Sequence, residues 1–383
     1  MPTVALMANT LHYPRHGGHR WAYMNWALGF RSIGCDVIWL EWADPQLSAG
    51  DLTPCLTALK AHLAPYGCAD RVVVIVGPQA AAAGATVGAQ DGVTVVAQAM
   101  KLDRIAADAD VLVNFVYGLP ANVVSRFRNT ALVDIDPGLL QCWMAQDLFP
   151  VAPHDAYFTI GETVGTRTAR FPDAGRRWTY TPPCVSLEAW PVEGAVHDAP
   201  FSTITHWSGD EYAQDGDDWY LNDKRSAFLP FLDLPRRVSQ RLEIAAWLGD
   251  GEVTELVEHG WRVRHSYEVA ATPWDYQAFV RGSRGEWSCA KPSYVRLQTA
   301  WISDRTLCYL ASGRPAIVQD TGPSRILPDS HGLFRFRDID DAIRCLREAD
   351  EHHDDHARAA RTLAAEHFDA RCVVRRVLER TVS

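Results

Sequence analysis

The feature that most constrains this chain is an alternation, met twice, of short apolar β-branched runs with stretches of helical period. "TVALMA", "CDVIWLEW", "RVVVIVG", "DVLVNFV", "ALVDID" and "AYFTIG" follow one another between Thr3 and Gly161, with helix-like segments among them, the first from Trp21 to about Ile33 and ended by Gly34. Such runs are too uniformly apolar for strands with one wet face; they suit a parallel sheet covered by helices. Between Arg170 and Pro200 the texture changes to "TPPCVSLEAWPVEGAVHDAP", proline-bearing and without a period, which reads as a linker. The alternation then restarts with "FSTITHW", "LEIAAWLG" (helix or strand), a strand "WRVRHSYEV" and a helix through "WDYQAFVRGSRGEWSCA" to a short strand. Further on come "AIV", "GLFRF" and a helical tail from about Asp340. The expectation is α/β: a Rossmann-like half over 1–180, a linker over 181–200, a second such half over 201–365 and a last helix over 366–383, placed to pack back on the first half. A length of 383 residues is ample for two cores. "QAAAAGAT" is a small-residue patch to which no role is given.

The formal net charge of −10 argues against a nucleic-acid backbone or an anionic membrane as main partner, and leaves room for a local basic pocket. Nine cysteines are scattered from Cys35 to Cys372 with no CxxC pair, which fits a reducing cytoplasm and neither a disulfide framework nor a zinc site. No apolar run approaches the roughly 20 residues that span a bilayer. The N-terminus lacks a basic n-region, so no secretion signal is expected. The location expected is cytoplasmic, as monomer or homodimer.

Within "WISDRTLCYLASGRPAIVQDTG", Ser303 caps a helix whose Leu307, Leu310 and Ala311 recur on one buried face, and Gly313 and Pro315 end it. "AIV" is a buried strand, and "QDTGPSR" lies just past its carboxyl end, where ligands sit in parallel sheets.

Two Rossmann-like halves, a mid-chain linker and a helical tail resemble the GT-B glycosyltransferases. The most specific likeness is "YLASGRPAIVQDTGPSRILPDSHGLFRFRDIDDAI", similar to the C-terminal half of those enzymes, in which an Ala-x-Gly-x-Pro segment leads into a strand. "HYPRHGGHRWAYMNWALGFRSIGCDVIWLE" resembles their N-terminal half. Retaining family-4 members carry a Glu shortly before the Ala-x-Gly-x-Pro; here Cys308 holds that slot, and the plant-type His-Cys-Gly-Trp box is absent. The resemblance implies a cleft between two lobes, a nucleoside diphosphate-sugar as co-substrate (UDP-, GDP- or dTDP-linked), a small-molecule acceptor such as a natural product, no other cofactor and no bound metal.

On the donor side, a pyrophosphate needs cations and helix-start amides. Ser303 and Arg305 stand at a helix start, Lys291 and Arg296 lie upstream of it, and Lys224 and Arg225 form a second cationic pair in "LNDKR". Asp304 would repel phosphate and suits hydroxyls of ribose or sugar. Asp320, Thr321 and Gly322 offer polar groups at a strand end. On the acceptor side, inverting GT-B enzymes often keep a general-base histidine in a loop like "HYPRHGGH", so His16 and His19 are the candidates. Gly17, Gly18, Trp21 and Glu162 are placed at the acceptor, and Asp136 or Asp134 in "DIDPG" can orient the base. "EHHDDH" puts His352 and His356 four apart on a helix; with no third ligand in the pattern it reads as a solvated face, and no metal site is assigned. Two other functions stay open: a nucleotide-sugar 2-epimerase-like enzyme, and a non-catalytic nucleotide-binding scaffold. A dinucleotide oxidoreductase is disfavoured because no GxGxxG follows the first strand.

Overall fold

The computed structural model describes residues 1–43, 49–76, 93–96, 99–194, 197–209, 211–215 and 218–382. The patch "QAAAAGAT" lies outside them. Strands β1 (Thr3–Ala8), β2 (Asp36–Ala43), β3 (Val72–Val76), β4 (Val93–Val96), β5 (Val111–Asn114), β6 (Thr130–Asp134), β7 (Ala156–Thr159) and β8 (Trp178–Tyr180) form one parallel sheet in the order β4-β3-β2-β1-β5-β6-β7-β8. β1 sits at its centre, with Val4 opposite Val37 of β2 and Val111 of β5. β9 (Phe201–Ile204) begins a second parallel sheet, and β10 (Tyr212–Asp215) pairs antiparallel with β11 (Asp218–Leu221) beside it. β12 (Leu242–Ala246), β13 (Arg262–His265), β14 (Gly285–Ser288), β15 (Ala316–Gln319) and β16 (Leu333–Phe336) complete the order β13-β12-β9-β14-β15-β16.

The apolar runs behave as their composition requires. "VVVIV" of β3 and "LEIAA" of β12 are buried along their whole length, and each lies between two strands. The ambiguous "LEIAAWLG" is therefore a strand, while "WRVRHSYEV" splits into β13 and a short helix, Ser266–Val269. The sequence reading did not include β4, although its run VTVV is apolar and β-branched, nor β8 and the β10–β11 hairpin, which are short and mix polar with aromatic residues.

In each sheet the chain winds outward on one side of the first strand and then crosses to the other. Sheet one reverses between β1 and β5, and sheet two between β9 and β14. At such reversals the loops leaving adjacent strands diverge and open a crevice at the carboxyl ends.

The two sheets share apolar packing. Trp21 of helix Gly17–Ser32 donates its indole N–H to Pro273 O at 2.8 Å and packs 4.7 Å from the Trp190 ring, which in turn meets Tyr276 at 6.0 Å. Segment 181–194, read as a linker, thus buries Cys184, Val185 and Trp190 against both halves. The terminal helix Ala370–Val382 returns to helix Gly17–Ser32, so closely that a Cβ on Gly29 would stand 2.8 Å from that of Ala370.

Candidate functional site

The carboxyl ends of both sheets face one cavity of about 710 Å³, inside the range of small-ligand sites. Loops from both reversal points line it: Tyr13 to His19 after β1, Phe115 after β5, Thr205 to Gly209 after β9 and Lys291 after β14.

The loop after β1 is held from below by Glu41, a fully buried carboxylate at the end of β2. Its Oε2 accepts from the amides of Thr10 at 2.8 Å and Leu11 at 3.2 Å, and its Oε1 from the Trp39 indole at 2.9 Å and the Thr10 hydroxyl. Burial pushes the Glu41 carboxyl up, against the pull of these donors. Beyond this anchor, His16 occupies the residue before helix Gly17–Ser32, its ring edge-on to Tyr13 and Tyr267. Burial first, then the charges of His206, Arg20 and Arg15, lower its pKa, and its buried Nδ1 has no hydrogen-bond partner among the described residues. A neutral imidazole in a residue that lines a cavity is in the form that can accept a proton. His19 differs. Its Nε2 lies 2.6 Å from Asn9 O and must carry the proton there, and burial drives its pKa down to about 4.

Asp136 reaches the cavity from the loop after β6. It accepts from Tyr117 at 3.1 Å and from Tyr294 of the opposite half at 2.9 Å, and neither His16 nor His19 is among its hydrogen-bond partners. Asp134, buried behind it, is raised to about 6 by burial, while Gln141 and Thr159 donate to it. The expected role of Asp134 or Asp136 as a direct orienter of the base is not what the geometry provides: Asp136 ties Tyr294 across the cleft, and Asp134 holds Tyr117, Gln141 and Thr159 within its own half.

On the other wall, Lys224 starts the short helix after β11, and its Nζ donates to Cys289 O at 2.6 Å and lies 5.6 Å from the Trp301 ring centroid. Burial, then the neighbouring Arg305 charge, lowers its pKa to about 7. Lys291 enters the same space, paired to Glu211 at 2.9 Å. Ser303 caps helix Asp304–Ala311 by accepting from the Arg305 amide, and all three residues at that helix start line the cavity. Burial raises the Asp304 carboxyl. Arg305 is locked by Glu286 Oε1 at 2.7 Å and Ile204 O at 3.0 Å; its pKa is raised although burial works against the charge, with Glu286 the chief counterweight.

Several expected site residues stand elsewhere, each for a visible reason. Arg296 turns away, over the Tyr220 ring at 4.0 Å and onto Asp218. Arg225 pairs with Glu252 and Glu255. Asp320 is taken up by Arg335 and Arg337, and Thr321 donates to Trp301 O at 2.6 Å. Gly322, at φ +123°, lies where a Cβ would meet the Gln298 backbone at 2.7 Å. This loop therefore buttresses the segment carrying Trp301 and does not line the cavity. Glu162 is bound to Arg325 and Ser324 across the two halves. Trp21 is core, and Gly17 gives the close approach of the halves, since a Cβ there would stand 2.0 Å from Thr272 O. Gly18 touches the cavity but serves the same approach, beneath the Tyr276 ring.

The sequence reading missed the loop His206–Gly209, Glu286, and, of the aromatic wall that Trp26 also joins, the rings of Tyr23, Phe115, Trp143 and Trp247. The strand-end rule applied to β5 and β9 points to the first and to Phe115. Glu286 and Trp247 carried no signal of their own.

No protein-family model matches the sequence, and no curated protein matches it either. Solved structures do match in fold. One is the Anabaena protein HepE in complex with UDP and glucose, at 11% identity, 99% of each chain and TM-score 0.58. A second is an alpha-glucosyltransferase in complex with UDP-glucose and DNA containing an abasic site, at 9%, 100% of each chain and TM-score 0.58. A third is AviGT4, a glycosyltransferase involved in avilamycin A biosynthesis, at 14%, 100% of this chain and 97% of that one, TM-score 0.56. The chain has the GT-B fold over its whole length.

Proposed function

We propose that this chain is a glycosyltransferase that moves a sugar from a UDP-linked donor to a hydroxyl of a small acceptor. The observation that carries the reading is convergence: Lys224, Lys291, Arg305 and the start of helix Asp304–Ala311 meet His16 across one cavity formed at the reversal points of two parallel sheets. UDP or UDP-glucose bound to HepE and to the alpha-glucosyltransferase supports uridine as the donor base.

In this reading Lys224 and Lys291 meet the diphosphate and, with the helix-start amides, neutralise the leaving group without a metal ion. Arg305, held against Glu286, fixes the helix start they share. Asp304, its carboxyl raised by burial, binds a hydroxyl of ribose or sugar. His16 takes the acceptor proton as the new glycosidic bond forms and the bond to the diphosphate breaks. The aromatic wall suits a flat or sugar-like acceptor. That the alpha-glucosyltransferase neighbour is bound to DNA raises a polymer acceptor, which the net charge of −10 disfavours here.

The test is incubation with UDP-, GDP- and dTDP-sugars and a panel of phenolic and sugar acceptors, with product mass as readout. Transfer from a UDP-sugar, lost by about 10²–10⁴-fold in kcat in His16→Ala at little change in donor KM, is expected. Conversion of the nucleotide sugar without acceptor would favour the epimerase, and binding without any turnover the scaffold.

A further inference from the structure

The pair His352 and His356 acquires a third partner in the folded chain. Helix Ile339–Glu351 ends one residue before His352, helix His353–His367 begins one residue after it, and His352 at φ −115°, ψ 36° makes the break. Across that break Glu348, His352 and His356 each present one ligand atom within 4.8 Å of the other two. Glu348 Oε1 lies 3.3 Å from His352 Nδ1 and 3.5 Å from His356 Nε2. With metal–ligand bonds of about 2.0–2.2 Å, the edges of a tetrahedral zinc site are roughly 3.3–3.5 Å long. Two of the three edges are therefore already set.

A second, independent observation concerns His356 alone. It is 5% exposed and wedged edge-on to Phe334 of β16 at 4.9 Å; among the described residues its Nδ1 has no hydrogen-bond partner, and its Nε2 meets Glu348 Oε1 at 3.5 Å, too long for a good hydrogen bond. A buried imidazole so poorly satisfied is costly, and a cation between Nε2 and Glu348 replaces that long contact with two bonds. Glu348 and His352 are exposed, which leaves an entry path and an open fourth position for water. His331 stands with its ring 6.4 Å from that of His356 and outside the three-residue group.

We infer that Glu348, His352 and His356 form a binding site for Zn²⁺ or a divalent cation of like softness, which two imidazoles and a carboxylate select over Mg²⁺ and Ca²⁺. None of the three lines the cleft cavity, so the site is structural: it staples the break between the two helices and does not take part in sugar transfer. The inference stands whether or not the chain is a transferase.

The experiment is titration of the full, reduced, metal-free chain with Zn²⁺ and with Co²⁺. Expected are uptake of a single ion, a raised melting temperature, and the visible bands of four-coordinate Co²⁺ with no thiolate charge-transfer band. That last point separates this site from Cys372, the exposed cysteine. Glu348→Gln and His352→Asn change exposed side chains, so both should fold with unaltered metal-free melting temperature. Since losing even an outer-shell partner costs about 10–100-fold in affinity, each should weaken uptake by at least that much. Absence of uptake at micromolar free Zn²⁺, a thiolate band, or uptake unchanged in the Glu348→Gln/His352→Asn double variant would overturn the proposal.

Discussion

Lys224 and Arg305 are both cations at the candidate donor site, yet their surroundings make them different instruments. Among the described residues Lys224 has no carboxylate as a hydrogen-bond partner, only Cys289 O, and its pKa falls to about 7. A diphosphate beside it restores the ammonium. UDP affinity should therefore be level below about pH 7 and fall about tenfold per pH unit above it, until the pKa of the complex is reached. Calorimetric titration from pH 6 to 9 in two buffers of different ionisation enthalpy would read both the slope and the accompanying proton uptake; a flat profile would remove Lys224 from the phosphate. Lys224→Met should raise the UDP Kd by about 10–150-fold, the worth of a hydrogen bond to a charged group, and abolish that slope while leaving the melting temperature unchanged or higher. Arg305→Met is expected to behave otherwise. It strands fully buried Glu286, whose Oε2 already lacks a partner among the described residues, and should cost about 3–5 kcal/mol of folding stability in a urea titration.

At the scale of elements, the start of helix Gly17–Ser32 is where the two halves come nearest. Gly17 N donates to Ala270 O at 2.8 Å, and a Cβ would fall 2.0 Å from Thr272 O. Backbone on both sides leaves no flexible side chain to give way, so Gly17→Ala should destabilise by about 1–3 kcal/mol and displace His16, one residue upstream, from its place. The paired readouts are thermal melting and the pH–rate profile; full stability and unchanged turnover would show that the halves do not need this close approach. The same residue shows where the sequence was legible and where it was not. Strands such as β3 and β12 announce themselves because burial on both faces admits only apolar side chains, and Gly34, Gly313 and Pro315 punctuate their neighbours. Lys224, Lys291, Ser303, Asp304 and Arg305, picked out at helix starts and strand ends, all line the cavity, because such ends converge in parallel sheets. Gly17 and Trp21 were misread as acceptor ligands because a close approach between halves needs the same residue types as a ligand loop, and no local pattern separates the two. Arg296 and Asp320 were misread because their carboxylate and arginine partners, Asp218, Arg335 and Arg337, come from other elements.

For the molecule as a whole, the question is whether two sheets mean two independent bodies. The packing says not. Trp21 from the first half, Trp190 from the intervening segment and Tyr276 from the second form one chain of ring contacts, and the terminal helix Ala370–Val382 closes back on helix Gly17–Ser32. Tyr294 and Asp136 add a polar tie across the cavity mouth. An apolar junction of this kind is lost only when both sides lose their order, because exposing Trp21 and Trp190 costs about 1.5–3 kcal/mol or more for each ring of this size. Calorimetry should accordingly record one transition, with calorimetric and van't Hoff enthalpies near equality, in place of the pair expected for loosely linked lobes. In the proposed site UDP would touch chiefly the second half, yet at a hundredfold excess over Kd it should move that entire transition by about 2.7 kcal/mol. Two resolved transitions, with UDP shifting only the later part of the chain, would mean that the aromatic junction does not couple the halves, and that the cavity between them is set by the ligand and not by the fold.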